Sequence, residues 1–192
     1  MFGPNLMLGA PDRALAGTFS GGSYRAGYGA SAMGSAEVTS VARTTDLTLA
    51  STQVIVDLGA AYTFRVIAEI NHNLPQAAQR ALSFGTTSGG SEVGSVAMED
   101  VWAITWSETG VEWLAPDWWG GGLDTGIYGC PYIAPKILPA PVTARYVKVE
   151  WDVRTSAEAY LMVGRLVICP VFQPRRGAVY GIDLGRIDGS TK

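Results

Sequence analysis

VIVDLGAAYTFRVIAEINHNL, residues 54–74, decides the fold class of this 192-residue chain. Side chains alternate across a β-strand, so a period-two run of apolar residues marks a half-buried strand rather than a helix. Val54, Val56 and Leu58 share one face, opposite Gln53, Ile55 and Asp57. Phe64, Val66, Ala68 and Ile70 share another, opposite Thr63, Arg65 and Glu69. Asp57-Leu58-Gly59 reads as a tight turn joining two short strands. Its Asp carboxylate would accept backbone N–H bonds, and Gly59 would supply a positive-φ position.

The same pattern returns late in the chain. In ARYVKVEWDV (144–153), Val147, Val149, Trp151 and Val153 alternate with Lys148, Glu150 and Asp152, which gives an amphipathic strand. AYLMVGRLVIC (159–169) is nearly all apolar, as a strand covered on both faces would be. VWAITW (101–106) reads as a strand with Trp102, Ile104 and Trp106 on one face. PQAAQRAL (75–82) offers one helical turn with Pro75 at its first position. Trp102, Trp106 and Trp151 are expected in the core.

Composition agrees. There are 24 Gly, 10 Pro, 6 Trp and 8 Tyr, against only 16% charged residues, a balance of turn formers and large aromatics that suits an all-β domain with long loops. A mean hydropathy of +0.16 with so little charge implies that partners cover part of the surface. The net charge of −3 offers nothing to draw in a polyanion, so nucleic acid is not an expected partner. No apolar run reaches the ~20 residues that would span a bilayer, so membrane insertion is not expected. MFGPNLMLGAPDRALAG at the start lacks the basic and apolar regions of a secretory signal.

The chain divides into an irregular segment (1–36) packed on the domain, a β-sandwich (37–172) and a C-terminal arm (173–192). The first carries spaced aromatics (Phe19, Tyr24, Tyr28) that a linker would lack. The arm, with Val179, Tyr180, Ile182 and Leu184, has the pattern of a strand that adds to a neighbouring sheet.

Candidate chemistry is sparse. His72 is the only imidazole and lies between Asn71 and Asn73, so a structural strand-end turn is expected. With one His, and with Cys130 and Cys169 lacking metal-ligand spacing, no metal or other cofactor is expected. The two thiols would pair only if the fold joined them; reduced, partly buried thiols are the expected state. Glu99, Asp100, Glu108, Glu112, Asp117 and Asp124 surround the long segment 107–141. A pair of them would be needed for glycosidic acid–base chemistry, and about six oxygens for Ca²⁺. Solvated loop carboxylates are the expectation, and an enzyme is not. Segment 107–141 reads as irregular and, at that length, as a functional or interaction surface. Its Trp113, Trp118, Trp119, Tyr128 and Tyr132 leave three readings open: a cap on the sandwich, a protein interface, or a platform for sugar rings.

In order along the chain, VDLG (56–59), FRVIAEI (64–70), ARYVKVEWD (144–152) and LMVGRLVI (161–168) resemble the galactose-binding-like, discoidin-type jelly-roll β-sandwich over roughly residues 37–170. A narrower resemblance rests on SVARTTD (40–46), STQVIVDLGAA (51–61), INHNL (70–74) and RYVKVEW. These are similar to minor tail or baseplate proteins of long-tailed bacteriophages, which are built on this sandwich. That resemblance implies a structural virion protein, located at the tail tip or baseplate. Its partners would be other tail proteins and copies of itself. The alternative is a carbohydrate-binding module for a host-surface glycan, with Trp118 and Trp119 as its platform.

Overall fold

A computed structural model describes residues 8–75, 77–102 and 132–172. The strands are β1 (Leu8–Gly9), β2 (Thr18–Ser20), β3 (Ala42–Arg43), β4 (Gln53–His72), β5 (Gln79–Gly85), β6 (Gly94–Asp100), β7 (Ile133–Asp152), β8 (Met162–Cys169) and β9 (Val171–Phe172). Single 3-10 turns at Ala14–Ala16 and Ala30–Gly34 are the helical elements of the described residues. Every strand pairing is antiparallel.

The order β3-β8-β4-β7-β5-β6, with β2 also on β4, folds into two layers because β4 and β7 run through both. The first half of β4 and the second half of β7 join β2, β5 and β6 in one layer. The second half of β4 and the first half of β7 join β8 and β3 in the other. The corner falls where the β4–β7 register breaks. From Asp57↔Tyr146 to Tyr62↔Ala144 the extra residues are on β4; from Phe64↔Val142 to Val66↔Ile137 they are on β7. The two offsets cancel. Strands that pass from sheet to sheet through bulges and bends make such corners.

This corrects the reading of residues 54–74 as two strands joined by a turn. The chain continues as one strand, and Asp-Leu-Gly is its bulge: Gly59 has φ +79 and its N–H donates to Asp57 Oδ1 at 2.8 Å. The inward-facing set changes at the second register break, between Phe64 and Val66. Val54, Val56, Leu58 and Phe64 are buried as expected, but beyond the corner Ile67 and Glu69 are the fully buried pair. Val66 and Ile70 turn to the outer face beside Ile137 and Ile133, so Glu69 is an inward residue and not an outward one.

Other expectations change. Ala78 N–H donates to Pro75 O (3.0 Å), and β5 begins at Gln79, within the stretch where a helical turn was expected. β7 reaches back to Ile133, so residues 133–141 belong to a strand and not to the irregular segment. Among the described residues that half of β7 pairs only with β4, and an edge position tolerates Pro135, Pro139 and Pro141. β8 is buried on both faces, as expected of a nearly all-apolar strand: Leu166 and Ile168 lie on one face, and Val163 and Cys169 on the other, where β1 covers Cys169. Val101 and Trp102 bend away after β6; the rest of VWAITW lies outside the described residues.

The core holds Phe64 edge-on to Phe84 at 5.6 Å, with Ile67, Leu82, Leu138, Val147, Val149, Trp151, Leu166 and Ile168. Ala14, Ala30 and Met33 of the N-terminal segment are buried in the same core. One buried ionic cluster interrupts it. Arg80 (2% exposed) pairs with Glu69 (0%), Trp151 Nε1–H donates to Glu69 Oε1 at 3.1 Å, and Arg80 donates to Ala134 O at 3.2 Å. The cluster ties β5 of one layer to β4 and β7 of the other.

Candidate functional site

The Glu69–Arg80 cluster lies near one end of the sandwich. The start of β5, the ends of β4, β6 and β7, and the starts of β7 and β8 all meet there. The aromatic-rich connection leaves this end after β6 and returns to it at β7. Lys136, near the start of β7, pairs with Glu99 near the end of β6. Trp102 is 8% exposed; its Nε1–H donates to Pro75 O at 2.9 Å, and Val101 N–H donates to Ala78 O.

An open groove of about 460 Å³ lies at this end, lined by Ala77, Gln79, Asp152, Arg154 and Thr155. Register puts it there, because Gln79 faces Asp100 of β6 on one side and Asp152 of β7 on the other. Gln79 Nε2 donates to Asp100 Oδ1 at 3.0 Å. Arg154 Nε donates to Asp152 Oδ1 at 2.9 Å, and the second guanidinium nitrogen donates to Oδ2. The Arg154 bonds hold the Asp152 carboxyl below its usual range. A general acid needs the opposite shift. Amide, carboxylate and guanidinium side by side offer both donors and acceptors in a shallow, wet site, which suits hydroxyl-bearing ligands.

His72 borders this end and is held as part of the strand-end structure. Leu74 N–H donates to Nδ1 at 3.2 Å, which places the ring proton on Nε2, and Nε2 is buried. The ring lies 5.5 Å from that of Trp102. Burial, followed by the charge of Arg80, pushes the His72 pKa down to about 4. Asn71, at φ +55, makes the left-handed turn expected of this stretch, and its side chain donates to Val38 O at 2.7 Å.

Of the aromatic residues singled out in the sequence, Tyr132 is described. It stands 54% exposed just before β7, and its carbonyl accepts the Asn71 N–H at 3.0 Å. Trp113, Trp118, Trp119 and Tyr128 lie outside the described residues, as do Val179, Tyr180, Ile182 and Leu184 of the arm and Cys130. Cys169 is a buried thiol, raised in pKa by burial and then by the nearby Asp12 charge. Among the described residues no three His, Cys, Asp or Glu side chains converge as metal ligands, and no helix is long and apolar enough to cross a membrane. Sequence reading passed over Gln79, Asp152 and Arg154. Nothing in the spacing of Gln79 and Asp152 marks them, because the β5–β7 register and the turn after β7 assemble the groove.

No family model matches the chain, and no curated protein does. Solved structures do. The fold is the discoidin-type, galactose-binding-like β-sandwich. The lectin domain of lectinolysin, solved with Lewis B antigen, matches at TM-score 0.55 and 14% identity, over 85% of this chain and 99% of that one. The family 32 carbohydrate-binding module of Clostridium perfringens NanJ, solved with galactose, matches at TM-score 0.53 and 13% identity, over 85% of this chain and 98% of that one. SpGH29 matches at 0.51 and 16% over 84% of this chain, which spans only 28% of that longer one. The neighbours matched over nearly their whole length are therefore binding modules.

Proposed function

We propose that this chain is a non-catalytic carbohydrate-binding domain whose ligand sits at the loop end of the sandwich. One observation carries the reading: the described polar groove of Gln79, Asp152 and Arg154 opens at the end from which the aromatic-rich connection departs. Sugar recognition combines both elements, hydrogen bonds to hydroxyls and aromatic stacking on the ring. A glycan array tests it with wild type, an Asp152→Asn/Arg154→Gln variant and a Trp118→Ala/Trp119→Ala variant. Binding by wild type and its loss in either variant supports the proposal. An array without signal for wild type rejects it.

A second reading is a structural role in a phage virion, as a tail-tip or baseplate protein assembled with other tail proteins and copies of itself. The outer face of the β4–β7–β8 layer favours it. Ile133 and Ile137 are 46% and 45% exposed beside half-buried Val66, Ile70 and Val167, and Leu8 and Phe172 are exposed on the β1–β9 pair. Apolar surface of this kind is characteristic of contact sites. Tail-tube and tape-measure genes beside the coding sequence would support the reading, and polysaccharide-utilisation genes would reject it. The two roles are compatible in one tail-tip protein.

A further inference from the structure

Beside the loop end, β3 and the N-terminal segment build a ladder of alternating guanidinium and phenol groups. The Arg25 guanidinium lies 4.8 Å from the Tyr160 ring centroid. Arg43 lies 5.3 Å from the same ring and 4.6 Å from that of Tyr28. The backbone beneath is fixed. Arg25 N–H donates to Arg43 O (2.9 Å), Arg43 N–H to Tyr28 O (3.0 Å), and Tyr28 N–H closes a turn on Arg25 O (2.9 Å), with Gly27 at φ +82 inside it. Tyr160 is held from both sides: its carbonyl accepts from Asn73 Nδ2 at 3.0 Å, and the next residue, Leu161, exchanges bonds with Thr44.

Acidic side chains neutralise or fix other arginines but not those of the ladder, among the described residues. Arg65, Arg80, Arg145, Arg154 and Arg165 each donate to a carbonyl or carboxylate. Among the described residues Arg13, Arg25 and Arg43 have no acidic partner; Arg13 stands alone over Tyr62, whereas Arg25 and Arg43 share the Tyr160 ring, and Arg43 Nε is buried without a hydrogen-bond partner. Stacking engages the flat face of a guanidinium and leaves its edge N–H groups aimed outward. Two like charges sharing one ring repel, and an oxyanion between their edges would relieve this and take up the spare donors.

Resting on the carbohydrate reading above, we infer that Arg25, Arg43, Tyr28 and Tyr160 form a subsite for an anionic oxygen group on a saccharide, a carboxylate or a sulfate ester. The site is distinct from the Gln79–Asp152–Arg154 groove and makes the ligand class an acidic glycan.

The test titrates the full chain with trigalacturonate, a sulfated chondroitin tetrasaccharide and neutral galactotriose by calorimetry. Arg25→Gln, Arg43→Gln and Arg43→Lys variants follow, their folding checked by circular dichroism. Arg25→Gln is the safeguard, since that side chain is exposed. An acidic probe should bind at least about tenfold tighter than galactotriose, and each Gln variant should erase about five- to tenfold of that margin without touching galactotriose. Arg43→Lys should keep the charge yet lose a good part of the margin, because the planar fork is gone. The stronger of the two acidic probes identifies carboxylate or sulfate as the group. Equal binding of acidic and neutral probes overturns this inference and leaves the carbohydrate reading intact. Arginine-dependent binding of poly-glutamate with no saccharide bound overturns both and names an acidic polypeptide. Binding of none of these probes also overturns both.

Discussion

Breaking the buried Glu69–Arg80 pair should cost more than deleting it. Arg80→Met removes the cation and leaves the Glu69 carboxylate, fully buried, with Trp151 Nε1–H as its remaining partner. Glu69→Leu leaves the guanidinium with Ala134 O and with an Nε that already lacks a partner. Orphaning one member of a buried pair typically costs about 3–5 kcal/mol, because the remaining charge keeps its desolvation penalty. The double variant has no buried charge. Its debit is the unpaired Trp151 N–H, about 1–3 kcal/mol, offset by two apolar side chains in a dry site. It should therefore unfold within ~2 kcal/mol of wild type, far from the sum of the singles. Urea unfolding followed by tryptophan fluorescence on the four proteins measures this, read as a double-mutant cycle. Single changes that each cost under ~1 kcal/mol, or a double equal to their sum, would refute the reasoning. The pair would then not be sealed from water.

Acid should find His72. Its pKa of about 4 in the fold is below the ordinary 6.5, so the unfolded chain takes up a proton first. Stability is whole above pH 6.5 and falls as the pH drops towards 4, by up to about 2 kcal/mol after allowing for the ring's partial exposure; the urea midpoint of His72→Gln should lose that slope. Asp57 is held near a pKa of about 2, chiefly by the Arg145 hydrogen bond, so further loss is expected between pH 4 and 2 and should vanish in Asp57→Asn. Gly22→Ala should destabilise far more than Gly27→Ala in thermal melts. Both have positive φ, about 1 kcal/mol for alanine, but a Cβ at Gly22 would sit 2.3 Å from Gln53 O while Gly27 faces open space. Phe64→Ala should cost about 3–5 kcal/mol by emptying the fully buried site against Phe84.

Much of the fold was legible because alternation is a local signal. Val54 to Leu58, and Val147 to Val153, are buried where their period predicts. The Asp57–Gly59 chemistry was also readable, down to its hydrogen bond. What the pattern does not encode is continuity. A bulge and a turn use the same residues, and only the pairing of β7 along both halves of β4 distinguishes them. A second register break, between Phe64 and Val66, inverts the faces beyond it, so an apolar outer stripe passed for core. The proline-rich start of β7 hid because proline argues against strands except at an edge, and which strand is an edge is a tertiary fact. The candidate site was the least legible part. Aromatic density drew attention to residues 107–141, whereas the groove arises from Gln79, Asp152 and Arg154, brought together by β5, β7 and the turn after β7, and the ladder from residues 25, 28, 43 and 160.

Because β4 and β7 each thread both layers, neither sheet can slip or peel without dragging the other along. A tug applied at one loop is shared by two ribbons bound edge to edge from tip to base. A receptor anchored at the sandwich end would thus hand its load to the whole body at once, and the domain should yield under force in one abrupt step with no half-opened stage.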